Sequence, residues 1–239
     1  MMKTIERKPG KNETERRGVH GNGECIPAST VKEYLTVQPE ASGSEQRTDM
    51  DPHDFCNVGK LMIGPRKILL IGTLGSGKTT LAECLARDTG FPYASIDECR
   101  VRYGDNTLSG EDCAWDHFLE ACGRPAPGIL EFSGGGPHVD EVRESLLYST
   151  IPVSVIWLVL PPGTCITRAM QRKKNIPAPF QWAPTEDAIP AVHDSIEYAW
   201  DHVWSREPCF HALRQEFSDT ASVADIYTVI KRDLFALVR

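Results

Sequence analysis

The sequence predicts an α/β protein built on a parallel sheet covered by helices on both faces, and three observations predict it. From Lys67 onward, short apolar runs alternate with helical patterns, which is the signature of β-α-β units. The most strand-like run, Val153 to Leu160, is apolar almost throughout rather than alternating, as a strand buried on both faces is. Between the run Lys67 to Ile71 and a helical pattern over Thr80 to Thr89 stands Gly72-Thr73-Leu74-Gly75-Ser76-Gly77-Lys78-Thr79. A strand therefore feeds a helix through a glycine-rich turn.

That turn fits the spacing G-x-x-x-x-G-K-[ST], which a chain of this composition meets by chance in about 1% of cases. Successive backbone N–H groups in such a turn form a concave anion site, and the helix N-terminus adds partial positive charge. Glycine lets the backbone approach phosphates with no Cβ in the way. Gly72, Gly75, Ser76, Gly77, Lys78, Thr79 and Thr80 are thus the candidate ATP-binding residues. Lys78 is placed to reach the β- and γ-phosphates, and the Thr79 hydroxyl to take a position on Mg²⁺. The bland alternative is an ordinary glycine-rich turn with a solvated lysine.

The chain of 239 residues has room for one mid-sized domain and a tail. Residues 1–62 are rich in charge and in Gly, Pro and Ser, with hardly any periodic apolar pattern, and read as a disordered tail that has the option of docking on a protein partner. Residues 63–239 form the folded domain. The formal charge of −7 argues against a nucleic-acid-coating surface. Eight cysteines are scattered without a C-x-x-C pair, which favours reduced thiols in a cytoplasmic protein over disulfides or zinc. No apolar run reaches membrane-spanning length, so no membrane association is expected.

The elements follow in order. The expected strands are 67–71, 92–96, 128–132, 153–160 and 213–218. Strand 92–96 runs into Asp97, with Arg100 and Arg102 following. In open α/β sheets ligands bind beyond the carboxyl ends of strands, so Asp97 is the candidate catalytic carboxylate and a candidate acceptor contact, with Arg100 beside it. The alternative for Asp97 is a helix N-cap. A packing helix is expected over Glu111 to Cys122. The third strand reads as ending in Phe132-Ser133, with no acid after it, which counts against a motor or helicase. Gly134, Gly135 and Gly136 follow; they offer either a backbone that a substrate approaches closely or a flexible turn.

After the fourth strand, a helix carries Arg168 and Arg172, four apart and on one face. They read either as a phosphate clamp or as a solvated basic helix end. Asn175 to Pro190 holds Pro177, Pro179, Pro184 and Pro190 around Phe180 and Trp182, which reads as irregular structure. Residues 163–190 are expected to form a mobile lid, with Arg168 and Arg172 catalytic residues on the transferring phosphate. Ala191 to Trp204 resumes as a helix, where His193 and Asp194 read as a surface pair or as substrate contacts. The last helix opens on the capping box at Ser222 to Asp225, with an apolar stripe from Val223 to Leu237.

Over roughly residues 66–235 the chain resembles the shikimate-kinase-like branch of phosphate-loop small-molecule kinases. The resemblance rests on the loop Gly72 to Thr79, the acid in Ile96-Asp97, the triple glycine, the basic helix around Arg168 and Arg172, and the Ser218-Asp219-Thr220 turn. It implies a phosphate-loop NTPase three-layer fold with sheet order 2-3-1-4-5 and a lid, ATP and Mg²⁺ as cofactors, Asp97 at the acceptor hydroxyl and Asp219 bordering the adenine. Trp115 to Glu120 stand where the family has a Phe-Arg-x-x-Glu pattern, and its Arg-Pro-Leu segment is missing, which removes expected acceptor-binding arginines. The Asp97-x-x-Arg100 spacing also resembles polynucleotide 5′-kinases and zeta-toxin-like kinases. The leading expectation is phosphoryl transfer from ATP to a hydroxyl of a small metabolite. The alternatives are a nucleic-acid 5′-hydroxyl kinase and a non-enzymatic, nucleotide-dependent interaction module.

Overall fold

The computed structural model describes residues 63–171, 176–179 and 185–236. The tail 1–62, and with it Arg172, Phe180, Trp182 and Leu237, lies outside the described residues. Five strands, β1 (Lys67–Ile71), β2 (Tyr93–Ser95), β3 (Gly128–Glu131), β4 (Val153–Val159) and β5 (Phe210–Glu216), form one parallel sheet in the order β2-β3-β1-β4-β5. The helices are α1 (Lys78–Thr89), α2 (Ile96–Tyr103), α3 (Leu108–Gly123), α4 (Val139–Tyr148), α5 (Pro162–Met170), α6 (Thr185–Ala199) and α7 (Val223–Ala236).

The two-residue period of β1 divides the core. Leu69 and Ile71 face a cluster built with α3, α4 and α6, while Ile68 and Leu70 face a second one built with α1, α5 and α7. Because both faces are covered, β1 is buried at every position, and a one-residue slip would exchange its two sets of neighbours. The register is thereby pinned. It fixes the height at which the loop after β1 leaves the sheet.

Several boundaries differ from the sequence reading. The fifth strand starts at Phe210 because it pairs along the whole of β4, from Val153↔Phe210 to Val159↔Glu216. Helix α3 starts at Leu108, where Thr107 Oγ1 accepts from the Gly110 amide at 3.0 Å. Residues 185–190 are helical, contrary to the irregular structure expected there, and Pro190 sits inside α6. The proline removes the N–H that would meet the Glu186 carbonyl; Glu186 is exposed, so water can serve that carbonyl, while Ile189 is buried. Most consequential is β3, which ends on Glu131, so the strand expected to end without an acid terminates in one.

After α6 the chain makes a π-helical turn, Trp200–Trp204. One added residue per turn rotates the helix face, and Trp200 and Trp204 become buried while Val203 is half-buried. Trp204 Nε1 donates to the Gly134 carbonyl at 2.8 Å. This ties the end of α6 to the glycine turn after β3.

Candidate functional site

The loop between β1 and α1 is shaped by three glycines in left-handed or near-left-handed conformations, Gly72 (φ 150°), Gly75 (φ 83°) and Gly77 (φ 90°). A Cβ on Gly75 would stand 2.3 Å from the Cys165 carbonyl of α5, and one on Gly72 would stand 2.8 Å from the Leu158 carbonyl. Packing as well as φ therefore demands glycine at both. Lys78 Nζ donates to the Thr73 carbonyl at 2.9 Å, folding the cation back over the loop. Ser76 Oγ is buried and has no hydrogen-bond partner among the described residues. A glycine-shaped turn at the N-terminus of α1, with an orphaned hydroxyl and a lysine folded over it, suits a polyanion such as a nucleotide's phosphates.

A carboxylate that the sequence reading passed over closes the loop's far side. Thr79 Oγ1 donates to Glu131 Oε1 at 2.9 Å, and the Tyr93 hydroxyl donates to Glu131 Oε2. Burial first, and then the neighbouring Glu131 charge, push the Tyr93 phenol well above its ordinary range, so it remains a donor. Glu131 is 7% exposed, yet among the described residues it has no ion pair with a lysine, arginine or histidine. A buried anion with only neutral donors is poised for a cation. The sequence signal was available: an acid interrupting Ile129-Leu130-Glu131-Phe132, a run otherwise apolar and doubly covered. Among the described residues no group of three or more His, Cys, Asp or Glu forms a metal cage. Mg²⁺ is compatible with that, since it commonly takes one or two protein oxygens together with phosphates.

Asp97 lies in the first turn of α2, and the cap there is Ser95, whose side chain accepts from the Glu98 amide at 3.1 Å. The capping alternative for Asp97 therefore falls away. Arg100 Nη1 stands 3.6 Å from Asp97 Oδ1. The rest of its fork is held by Glu111, with Nε donating at 2.9 and 3.1 Å and Nη2 at 2.5 Å. Burial opposes ionisation of Glu111, but the Arg100 hydrogen bonds and charge outweigh it and hold that carboxyl below its usual range. Arg100, expected at the substrate, is thus placed to orient Asp97. Glu111 also accepts from Trp115 Nε1, and Trp115 stacks on His138 with centroids 3.9 Å apart.

Thr79 and Asp97 line the same cavity, of about 440 Å³, together with Glu83, Glu98, Arg102 and Ile176. The triple glycine has its own packing reasons. A Cβ on Gly134 would meet Ile71 Cβ at 2.4 Å, and one on Gly135 would meet Ser195 Oγ at 2.7 Å. The Gly136 amide donates to Ser195 Oγ at 3.0 Å, while a Cβ there would meet nothing within 4 Å. Arg168 Nη2 donates to the Ala221 carbonyl at 3.0 Å, which puts it beside the turn that carries exposed Asp219 rather than on Asp97. Its expected partner Arg172 lies outside the described residues. His193 packs against Trp157, with ring centroids 5.7 Å apart, and Asp194 is exposed. Cys84, Cys99, Cys122 and Cys165 are buried, and burial pushes the Cys122 thiol up to about 12. They occupy small apolar sites in the core.

A glycine-rich phosphate loop at the carboxyl end of β1 in a 2-3-1-4-5 parallel sheet defines the three-layer phosphate-loop nucleotide-binding fold. Within that fold the chain is similar to shikimate kinases. It is 34% identical to the shikimate kinase of Moorella thermoacetica over 113 residues, 44% of this chain. The match spans 64% of that relative's length, less than two thirds. A model of the ATPase family associated with various cellular activities (AAA) matches residues 68–130. Among solved structures, a gluconokinase from Sinorhizobium meliloti superposes with a TM-score of 0.51 at 16% identity, covering 74% of this chain and 95% of that one. A shikimate kinase from Acinetobacter baumannii in complex with shikimate superposes with a TM-score of 0.51 at 20% identity, covering 79% and 97%. These superpositions establish the fold, with its sheet order and its helices on both faces. Among the described residues no helix is long and apolar enough to cross a membrane.

Proposed function

We propose that the protein transfers the γ-phosphoryl group of ATP to a hydroxyl of a small metabolite. One observation carries this reading: Thr79 of the phosphate loop and Asp97 open onto one cavity large enough for a small acceptor. A nucleotide switch needs the loop but no carboxylate facing an acceptor-sized space. The loop amides and Lys78 hold the phosphates. Thr79, with Glu131 behind it, would hold Mg²⁺, which when bound neutralises phosphate charge. Asp97, steadied by Arg100, accepts the acceptor's hydroxyl proton as its oxygen bonds to the γ-phosphorus. The bond from that phosphorus to the β–γ bridging oxygen breaks, ADP leaves, and the proton passes to solvent. Ile176 faces the cavity and would help to exclude water from it.

The test is ATP consumption measured with and without hydroxyl acceptors, including a 5′-hydroxyl oligonucleotide. Consumption that rises with a small acceptor and leaves a phosphorylated product supports the reading. Transfer to the oligonucleotide alone would replace it with the nucleic-acid kinase, which the acidic lining of Glu83, Asp97 and Glu98 disfavours. A second reading, an ATP-hydrolysing module, is favoured by Glu131 at the end of β3 and by the AAA match. Acceptor-independent hydrolysis would support that one.

Glu131→Gln keeps the side-chain volume and removes the charge. We expect the Mg²⁺ concentration for half-maximal activity to rise about 10-fold or more, as loss of a group supporting a metal ligand does. Metal-free nucleotide affinity should stay near wild type. An unchanged Mg²⁺ titration would remove Glu131 from the metal's surroundings.

A further inference from the structure

We propose that Tyr93 is a positioning residue for the metal bound with the nucleotide: its hydroxyl fixes the Glu131 carboxylate, which in turn fixes the Thr79 hydroxyl. The proposal rests on the reading of Thr79 and Glu131 as the surroundings of Mg²⁺ and adds the residue that orients them.

The sheet brings the three together. Glu131 ends β3, with Ser95 of β2 directly opposite it and Tyr93 opposite Ile129. Residues two apart on a strand share a face, so Tyr93, Ser95, Ile129 and Glu131 lie on one face, where Ile129 is buried in the cluster built with α1. Ser95 is small, and its oxygen already accepts from the Glu98 amide as the α2 cap. The phenol two residues earlier reaches past it diagonally, and its hydroxyl donates to Glu131 Oε2. The tyrosine ring packs against the same apolar cluster. With only two side-chain torsions, it presents its hydroxyl from a nearly fixed position.

Each carboxylate oxygen then has one hydroxyl, Thr79 on Oε1 at 2.9 Å and Tyr93 on Oε2. One anchor would leave the group free to swing about that oxygen; two anchors fix its plane. The orientation passes on to Thr79. A threonine hydroxyl has one proton and two lone pairs, so donating the proton to Glu131 turns the lone pairs away from that carboxylate. Thr79 is the second residue of α1, beside the loop where phosphates would lie. An oxygen held in one orientation suits a small cation that demands near-ideal octahedral geometry. Without the phenol hydroxyl, Glu131 Oε2 loses a donor at a residue only 7% exposed, and the carboxylate is free to turn. Tyr93 also faces the cavity, so direct contact with a ligand there is the competing role.

Tyr93→Phe removes the hydroxyl and keeps the ring in its packing. Calorimetry of a non-hydrolysable ATP analogue binding to the full-length chain, at a series of Mg²⁺ concentrations, reads the metal without turnover or acceptor. We expect the Mg²⁺ concentration for half of the affinity gain to rise about 10-fold, the low end of the range for loss of a group supporting a metal ligand. Metal-free affinity should stay near wild type, which also shows that the variant is folded. In the Glu131→Gln background the same substitution should add less than about twofold, because residues that act through one another are not additive. A wild-type Mg²⁺ dependence in Tyr93→Phe overturns the proposal and reduces the hydroxyl to a packing group. So does an equal rise in both backgrounds, which would mean that Tyr93 acts on the ligand directly, and so does equal weakening with and without metal. If Glu131→Gln leaves the Mg²⁺ dependence unchanged, the placement of Glu131 by the metal fails and this proposal falls with it; phosphoryl transfer stands, since no acceptor takes part. No Mg²⁺-dependent binding by the wild-type chain would overturn both.

Discussion

Lys78→Ala is expected to lower kcat/KM by on the order of 10²–10³, the effect of removing one preorganised electrostatic contact from a transition state. The reasoning starts from the fold. Lys78 is the first residue of α1, is 9% exposed, and lies folded onto the Thr73 carbonyl. Its ammonium is thus held over the loop, where phosphates would collect. Truncation leaves the Thr73 carbonyl without that donor, a loss of about 1 kcal/mol in stability, too little to unfold a domain of this size. Thermal melting separates the two effects. Lys78→Arg retains the charge but replaces a point donor with a planar fork, and we expect partial recovery of nucleotide affinity with little recovery of turnover. Calorimetry showing unchanged ATP–Mg²⁺ binding in Lys78→Ala, with unchanged turnover, would sink the phosphate-loop assignment.

Asp97→Asn is expected to reduce kcat about 10²–10⁴-fold, the range for loss of a general base, with ATP affinity nearly unchanged. The substitution is clean because the structure has separated this residue from the helix cap. Ser95 makes the capping hydrogen bond, so an amide at 97 forfeits a favourable charge in the first turn of α2, about 0.5 kcal/mol, and the charge contact with Arg100. Arg100 stays in place on Glu111. A Michaelis analysis decides between roles. A fall in kcat with the acceptor KM retained marks proton transfer, whereas a rise in KM alone would reduce Asp97 to an acceptor-binding group.

The loop and the sheet were legible in the sequence for different reasons. The loop was legible because its chemistry is local: glycine, lysine and threonine at fixed spacing determine which amides point inward. Strands β1, β3 and β4 were legible because double burial demands continuous apolar runs, and the parallel order 2-3-1-4-5 came with the resemblance. The start of β5 was hidden because an edge strand shows only partial burial, and its length is set by β4 across the ladder. The helix over 185–190 was hidden by its prolines, whose local cost is overridden once Ile189 is buried in the core.

The candidate site divides in the same way. By itself the sequence determined a phosphate loop after the first strand, an acid after the second, and a glycine turn after the third, since each depends on residues within a few positions of one another. Tertiary structure alone decided what those parts do to each other. Glu131 meets Thr79 across 52 positions, Arg100 meets Glu111 across 11, Trp204 meets Gly134 across 70, and Arg168 meets Ala221 across 53. No periodicity encodes such contacts. They arise when a sheet register and a rotated helix turn bring distant side chains to one crevice, where burial makes an unpaired charge or donor costly enough to fix its partner.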